Sequence, residues 1–228
     1  MLGTPAGASH EIFRRVAYVA EAKELYPFAR AGEMIRLTRG FYPQWDTELE
    51  RRLVDEFAIP LRMKCPKLSK GQRSALAVLL AVCRRPELLV LDEPTDGLDP
   101  IANERVLRLL VEHAGERGAT VFFSTHHLAE VEQIADHVVM IKAGRCTAAG
   151  ELDDIRQRYR RVRLAVPDER MPLPAALSGW RRDGRFVTGF SPDDAGTLEA
   201  RLGGTGIAVL DAAPATLKEI FFEEMGQR

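Results

Sequence analysis

The sequence lacks several features that would narrow its role at once. Of 228 residues only three are cysteine, Cys65, Cys83 and Cys146. They have no metal-ligand spacing, and an odd count offers no disulfide framework, so a reducing compartment is the plain inference. No apolar run is long enough to span a bilayer, and the first residues show no charged-then-apolar signal pattern, so any membrane association is expected to come through a partner. Charge of one sign is missing too. Thirty-two Lys and Arg stand against 33 Asp and Glu, a formal net charge of −1, which gives no electrostatic argument for nucleic acid. The basic cluster at 156–163 reads first as a solvated helix face. Finally, no G-x-x-x-x-G-K-[ST] occurs anywhere. Backbone amides and a lysine in that arrangement would cradle phosphates. Gly3-Thr4-Pro5-Ala6-Gly7-Ala8-Ser9 is a poor substitute, with no lysine and a proline where an amide donor is wanted.

What is present centres on Leu88-Leu89-Val90-Leu91-Asp92-Glu93-Pro94. An apolar strand ends in two adjacent carboxylates, and Thr95-Asp96-Gly97-Leu98-Asp99 turns the chain directly afterwards. This is the pattern of a buried parallel strand delivering acids to a loop at its carboxyl end, where open α/β sheets bind ligands. The arrangement suits phosphoryl transfer, with Asp92 holding Mg²⁺ and Glu93 orienting or deprotonating a water. A buried strand ending in an acidic helix cap would read the same in isolation. The neighbours favour the chemical reading. Upstream, Leu68-Ser69-Lys70-Gly71-Gln72 precedes an apolar helix expected over 74–85. There Ser69 is placed as an N-cap and Gly71 admits close backbone approach, which together suggest an anion site. Downstream, Val121-Phe122-Phe123 reads as a second strand ending in Ser124-Thr125-His126-His127, so that His126 would stand beside the carboxylates.

Along the chain, residues 11–27 read as a short strand and a loop. Residues 28–64 read mostly as helix, with an amphipathic run through Leu49, Leu53, Val54 and Phe57 that stops at Pro60. A helix over 101–114, a strand over 121–123 and a helix over 128–136 follow. A hairpin pairs 138–141 with 145–148 about Lys142-Ala143-Gly144. The alternation implies a parallel, doubly wound core closed by a small antiparallel element. After Gly150 the pattern changes to a small α/β appendage. It has a helix over 153–159, strands over 161–166, 185–190 and 207–210, helices over 197–202 and 216–225, and a proline-containing linker over 167–174.

The motifs, in this order and spacing, make residues 1–150 resemble the nucleotide-binding subunit of an ABC transporter. Leu68-Ser69-Lys70-Gly71-Gln72 resembles the signature motif, with Lys70 in place of the commoner glycine. Residues 88–93 resemble Walker B with its catalytic glutamate, Gly97-Leu98-Asp99 the D-loop, and His126, followed by Leu128 and Glu130, the switch histidine. Tyr42-Pro43-Gln44-Trp45-Asp46 is similar to bacterial exporter-type subunits. Arg15-Val16-Ala17-Tyr18-Val19 matches the strand leading to the Q-loop, whose glutamine is replaced by Glu21. Glutamate could still reach Mg²⁺ or its water, though a plain surface-loop residue is the alternative. Because Met1-Leu2-Gly3 matches the tail of the segment after the P-loop and its helix, the chain is expected to begin several tens of residues inside the domain. A truncated gene model, a fragmentary source sequence and a degenerate protein are the alternatives behind that expectation.

The resemblance implies a P-loop NTPase-like α/β domain at 1–150 with a helical subdomain at about 28–84, plus the 151–228 appendage. It implies an ATPase powering transport through a transmembrane permease, peripheral on the cytoplasmic face of the membrane, with ATP and Mg²⁺ as ligands. Two nucleotide-binding subunits would pack head to tail. Ser69, Lys70, Gly71, Gln72 and Asp99 would face nucleotide across that interface, Glu93 and His126 would serve hydrolysis, and Asp92 with Glu21 would serve the metal. Phe28, Met34, Phe41, Tyr42 and Trp45 are the candidates for the permease contact, although apolar residues at helical spacing are usually core. Two other readings compete: a non-catalytic subunit lending its signature face to a complete partner, and a soluble ABC-type protein on ribosomes or DNA. The last is disfavoured by the single signature and the lack of sustained heptads.

Overall fold

The computed structural model describes residues 2–3, 12–173 and 177–226. Most of the Gly3-to-Ser9 run and Pro174 of the linker lie outside them. The chain divides into two compact units, Met1–His127 and Leu128–Arg228.

The first unit is built on three strands, β1 (Val16–Val19), β2 (Leu88–Asp92) and β3 (Thr120–Ser124), in the order β1-β2-β3. Both pairings are parallel, and Leu89 stands between Ala17 and Val121, Leu91 between Val19 and Phe123. A single turn, α1 (Ile12–Arg15), precedes β1. Helices α2 (Ala31–Phe41), α3 (Thr47–Glu56) and α4 (Lys70–Val82) connect β1 to β2, and α5 (Pro100–Arg117) connects β2 to β3.

Local chemistry sets these boundaries. Asp46 caps α3 by accepting from Leu49 N at 2.9 Å, and its other oxygen takes Arg85 and Arg117, tying three segments together. Ser69 accepts from Gln72 N at 3.1 Å while Gln72 Oε1 accepts from Ser69 N at 3.0 Å, a reciprocal capping box that opens α4 four residues before the expected helix. Asp99 caps α5 ahead of Pro100, and Gly118 in the left-handed region ends it. Helix α4 is the centre of the core, with Leu76, Val78, Leu79 and Val82 fully buried.

The sheet departs from the doubly wound expectation. Ala17, Val19, Leu89 and Leu91 are buried on one face, whereas Tyr18, Val90 and Phe122 line up across the other, and Tyr18 and Phe122 are 61% and 59% exposed. With the order β1-β2-β3, successive right-handed crossovers place their helices on the same side. Among the described residues only one face is therefore covered.

In the second unit, α6 (Leu128–Ile134) leads into the hairpin of β4 (His137–Lys142) and β5 (Arg145–Glu151). Ala143 and Gly144 at its tip both have positive φ, the requirement of the turn that fits the twist of a two-residue hairpin. Helix α7 (Leu152–Arg158) follows, then an antiparallel sheet of β6 (Arg160–Ala165), β7 (Ser178–Asp183), β8 (Phe186–Ser191) and β9 (Ala208–Pro214) in the order β7-β8-β6-β9. Helix α8 (Ala195–Leu202) closes a core of Val162, Leu164, Val187 and Leu198. Helix α9 (Leu217–Glu224) joins α7 and the hairpin through Met140, Ile155, Leu217 and Ile220. Strand β7 is absent from the sequence reading. Ser-Gly-Trp-Arg-Arg-Asp has no apolar alternation, and it forms an edge strand with an irregular register between Ser178 and Arg181.

Candidate active site

The parallel register brings Asp92, at the end of β2, level with Ser124, at the end of β3. Ser124 Oγ donates to Asp92 Oδ1 at 2.5 Å and accepts from Glu93 N at 3.2 Å, so one hydroxyl holds the Asp92 carboxylate and the Glu93 backbone. Glu93 sits at φ 46°, in the left-handed region that a non-glycine residue rarely occupies. Its Oε1 lies 2.9 Å from His126 Nδ1, and its Oε2 is buried without a hydrogen-bond partner among the described residues. His126 is largely exposed and stacks on His127 at 4.0 Å between ring centroids. The structure thus gathers Asp92, Glu93 and His126 at the carboxyl ends of neighbouring strands.

A cation unforeseen in the sequence lies beneath them. Lys23 Nζ donates to the backbone carbonyls of Asp92 at 3.0 Å and Glu93 at 2.8 Å. Burial, the largest influence, pulls its ammonium below the usual lysine value, against the carboxylates of Asp96, Asp92, Glu21 and Glu93, which hold it up. Glu21 itself is exposed in a bend. The sequence signals that could have found Lys23 are its place two residues after Glu21 and the number of acids it has to face.

The signature segment is packed onto the loop after β2. Lys70 Nζ lies 2.6 Å from Asp96 Oδ2 and holds the Asp96 carboxyl below the usual carboxylate range. Ser74 Oγ donates to Asp96 O at 3.0 Å. A Cβ at Gly71 would stand 2.9 Å from Gly97 O, and one at Gly97, where φ is 80°, only 2.6 Å from the Lys70 methylenes. Gly71 is therefore required by this internal contact, beyond any approach to a ligand. Ser69 and Gln72 are engaged in the capping box; a hydroxyl that accepts there keeps its own proton for an anionic ligand. Asp99 Oδ1 accepts from Ile101 N and Ala102 N, both at 3.0 Å.

The five apolar candidates for a partner contact separate cleanly. Met34 and Trp45 are core residues, Trp45 Nε1 donating to Glu50 Oε2 at 2.6 Å, while Phe28 and Phe41 are 72% and 68% exposed. Tyr42 carries the Arg84 guanidinium 4.0 Å from its ring centroid. Tyr26, which the sequence reading passed over, stacks on Phe28 at 5.4 Å and is also exposed. A groove of about 690 Å³ lined by Arg30, Ile35, Arg36, Glu50, Val54 and Leu61, among others, shares no residue with the carboxylate site.

Three parallel strands whose carboxyl ends carry paired acids, a histidine and a capped helix start define the first unit as a P-loop NTPase-like α/β domain. Comparison with known proteins is more specific. The family described as "AAA domain, putative AbiEii toxin, Type IV TA system" matches residues 52–132. ABC transporter ATP-binding protein YtrB of Bacillus subtilis is 24% identical over 224 residues, which cover 95% of this chain and 75% of the relative. A solved ATP-binding subunit of an ABC transporter is 36% identical with a TM-score of 0.57, covering 63% of this chain and 62% of that one. A dimeric bacterial ABC transporter cassette shares the fold at 22% identity and a TM-score of 0.55, over 62% of this chain and 65% of the other. The chain is a homologue of the ABC transporter ATP-binding proteins.

Proposed function

We propose that this chain works as the ATP-hydrolysing subunit of an ABC transporter, driving a transmembrane partner. The observation that carries this reading is Glu93, held at positive φ, paired to His126 on one oxygen and left with a buried second oxygen that has no hydrogen-bond partner among the described residues. Such an orphan fits a water or a cation's hydration shell, and the surrounding oxygen donors suit Mg²⁺. Asp92 would hold the metal, with Glu21 within the same field. Bound there, Mg²⁺ would neutralise charge on phosphoryl oxygens. Glu93 would take the proton of the attacking water while His126 orients that carboxylate. Ser69, with the amides at the start of α4, would face nucleotide held by a second subunit, and the dimeric architecture of the bacterial cassette supports this pairing. The exposed Tyr26, Phe28 and Phe41 offer the transmembrane partner an aromatic surface. Residues 151–228 would form an accessory domain.

The 228 residues hold no G-x-x-x-x-G-K-[ST], and we propose that this polypeptide alone binds ATP negligibly; submillimolar binding in calorimetry would overturn that. The same sequence observation favours the second reading, a subunit that lends its signature face to a complete partner. Isolation of the tagged protein from its own membranes decides between them. Co-purification with a permease, and ATP turnover that falls at least a hundredfold with Glu93→Gln, is the expected result. Turnover unaffected by Glu93→Gln leaves only the lending role, and no membrane partner removes both.

A further inference from the structure

We propose that Lys23 is a built-in counter-ion of the carboxylate site, and that its ammonium and a divalent cation exclude one another there. This rests on the reading of Asp92 as a metal ligand and adds a residue that sets when the metal can enter.

The argument starts from the carbonyls. An ammonium has three donors and no acceptor, and Lys23 spends two of them on the main-chain oxygens of Asp92 and Glu93, the residues that end β2. The groups that act on its charge are the carboxylates of Asp96, Asp92, Glu21 and Glu93. Asp96 is already paired with Lys70. Asp92 and Glu93 receive a hydroxyl and an imidazole, neither of which brings a permanent positive charge. Lys23 therefore acts, among the described residues, on those two acids as well as on Asp96, and it does so from the backbone side.

Lysine suits that task better than arginine would, because its charge is compact and strongly hydrated, like the hard cations that seek oxygen. For the same reason it competes with them. A dication at Asp92 would share one electrostatic well with the ammonium, and the two repel at close range. The chain around Lys23 permits withdrawal: residues 20–26 form no helix or strand, so moving the side chain breaks no ladder. Lys23 offsets part of the negative charge that Asp92 and Glu93 bring to the end of β2. When the metal arrives, it must cede the position.

The test is Mn²⁺ binding to the full chain without nucleotide, read by electron paramagnetic resonance. Lys23→Met is expected to tighten Mn²⁺ binding by about tenfold, the worth of one unit charge beside a dication in a well-hydrated site. Lys23→Gln, a second way to remove the charge, should do the same should the methionine variant fold poorly, and Lys23→Arg should bind as weakly as the parent. Adding Asp92→Asn to Lys23→Met should abolish the gain, which locates the ion. Equal affinity of the parent and both neutral variants, with binding still dependent on Asp92, overturns the role of Lys23 and leaves the metal site standing. Binding independent of Asp92 in every variant overturns both.

Discussion

Ser124 Oγ lies 2.5 Å from Asp92 Oδ1 across the β2–β3 pairing and takes Glu93 N on its other side. A single hydroxyl thus holds the orientation of the acid proposed to bind metal and the backbone of the acid proposed to serve catalysis. Partners of metal-binding groups typically matter by 10- to 100-fold in affinity or activity. Ser124→Ala is expected to raise the Mg²⁺ concentration for half-maximal ATP turnover of the assembled transporter by about tenfold. Ser124→Thr, which keeps the hydroxyl, should restore most of it. An unchanged Mg²⁺ requirement in the alanine variant would show that Asp92 needs no such support.

Gly97 carries two constraints at once, a φ of 80° and the Lys70 methylenes where a Cβ would go. Gly97→Ala is expected to destabilise the protein by about 1–2 kcal/mol from backbone strain alone, plus whatever is needed to push Lys70 off Asp96. Because that ion pair is half exposed, its loss contributes within about 1 kcal/mol. In a Lys70→Ala background the clash with the outer methylenes goes, a tight 3.1 Å approach to the residue 70 Cβ stays and so does the backbone part, so the two substitutions should couple. Denaturant melts of the four proteins measure this, and strict additivity would mean that Lys70 moves aside freely.

How far the sequence reveals this arrangement depends on the range of the signal. Local patterns are legible: the apolar run of β2, the capping box at Ser69 and Gln72, Pro100 at the start of α5 and the turn at Ala143 and Gly144 all depend on neighbours a few residues apart. Shared carboxyl ends of parallel strands then suffice to place Asp92, Glu93 and His126 near one another. Lys23 reaches the end of β2 from 69 positions away in a loop without periodicity, and its place two residues after Glu21 is the one local mark it carries. Lys70 was legible as a departure from a motif, but its pairing with Asp96 depends on how α4 packs on the turn after β2. The one-sided covering of the sheet was hidden for another reason. A strand buried on one face and a strand buried on both share the same apolar letters when the open face carries Tyr18, Val90 and Phe122.

His113 is buried in α5, and its Nε2 lies 3.1 Å from the Pro86 carbonyl, so the neutral ring donates from that nitrogen. Burial depresses its pKa below 6.5, Arg117 adds to the depression and the carbonyl opposes it. A depressed histidine binds fewer protons folded than unfolded. Its contribution to stability is complete above the unfolded value and is lost as pH falls toward the folded one. The melting temperature should therefore drop between about pH 7 and pH 5. His113→Gln should flatten that slope, and an equal slope in the variant would assign the pH dependence elsewhere.

The three thiols should report the packing directly. Cys65 and Cys83 are buried and Cys146 is exposed on β5. Burial raises both buried thiols above the ordinary cysteine value, which leaves less of the reactive thiolate. A thiol reagent should modify one cysteine per native chain and all three after denaturation. Peptide mapping should find the native label on Cys146, and rapid labelling of Cys83 would contradict the core around α4.

Glu93 combines two costs that its proposed role in hydrolysis would explain. Its backbone sits at φ 46°, and its Oε2 is buried without a partner among the described residues. Strained backbone and unsatisfied polar groups persist where function maintains them. Asparagine tolerates the left-handed region better than glutamate, and its shorter amide carries no charge to bury. Glu93→Asn is expected to stabilise the chain by about 1 kcal/mol, from relief of the backbone and of the orphaned oxygen together. The lost contact to His126 takes little back, because that imidazole is 66% exposed. The same variant should abolish ATP turnover in the assembled transporter, since an amide cannot accept the proton of the attacking water. Stability gained while activity is lost marks a residue kept for chemistry. A destabilised Glu93→Asn would instead make the Glu93–His126 contact a structural tie, and the strain at φ 46° would need another cause.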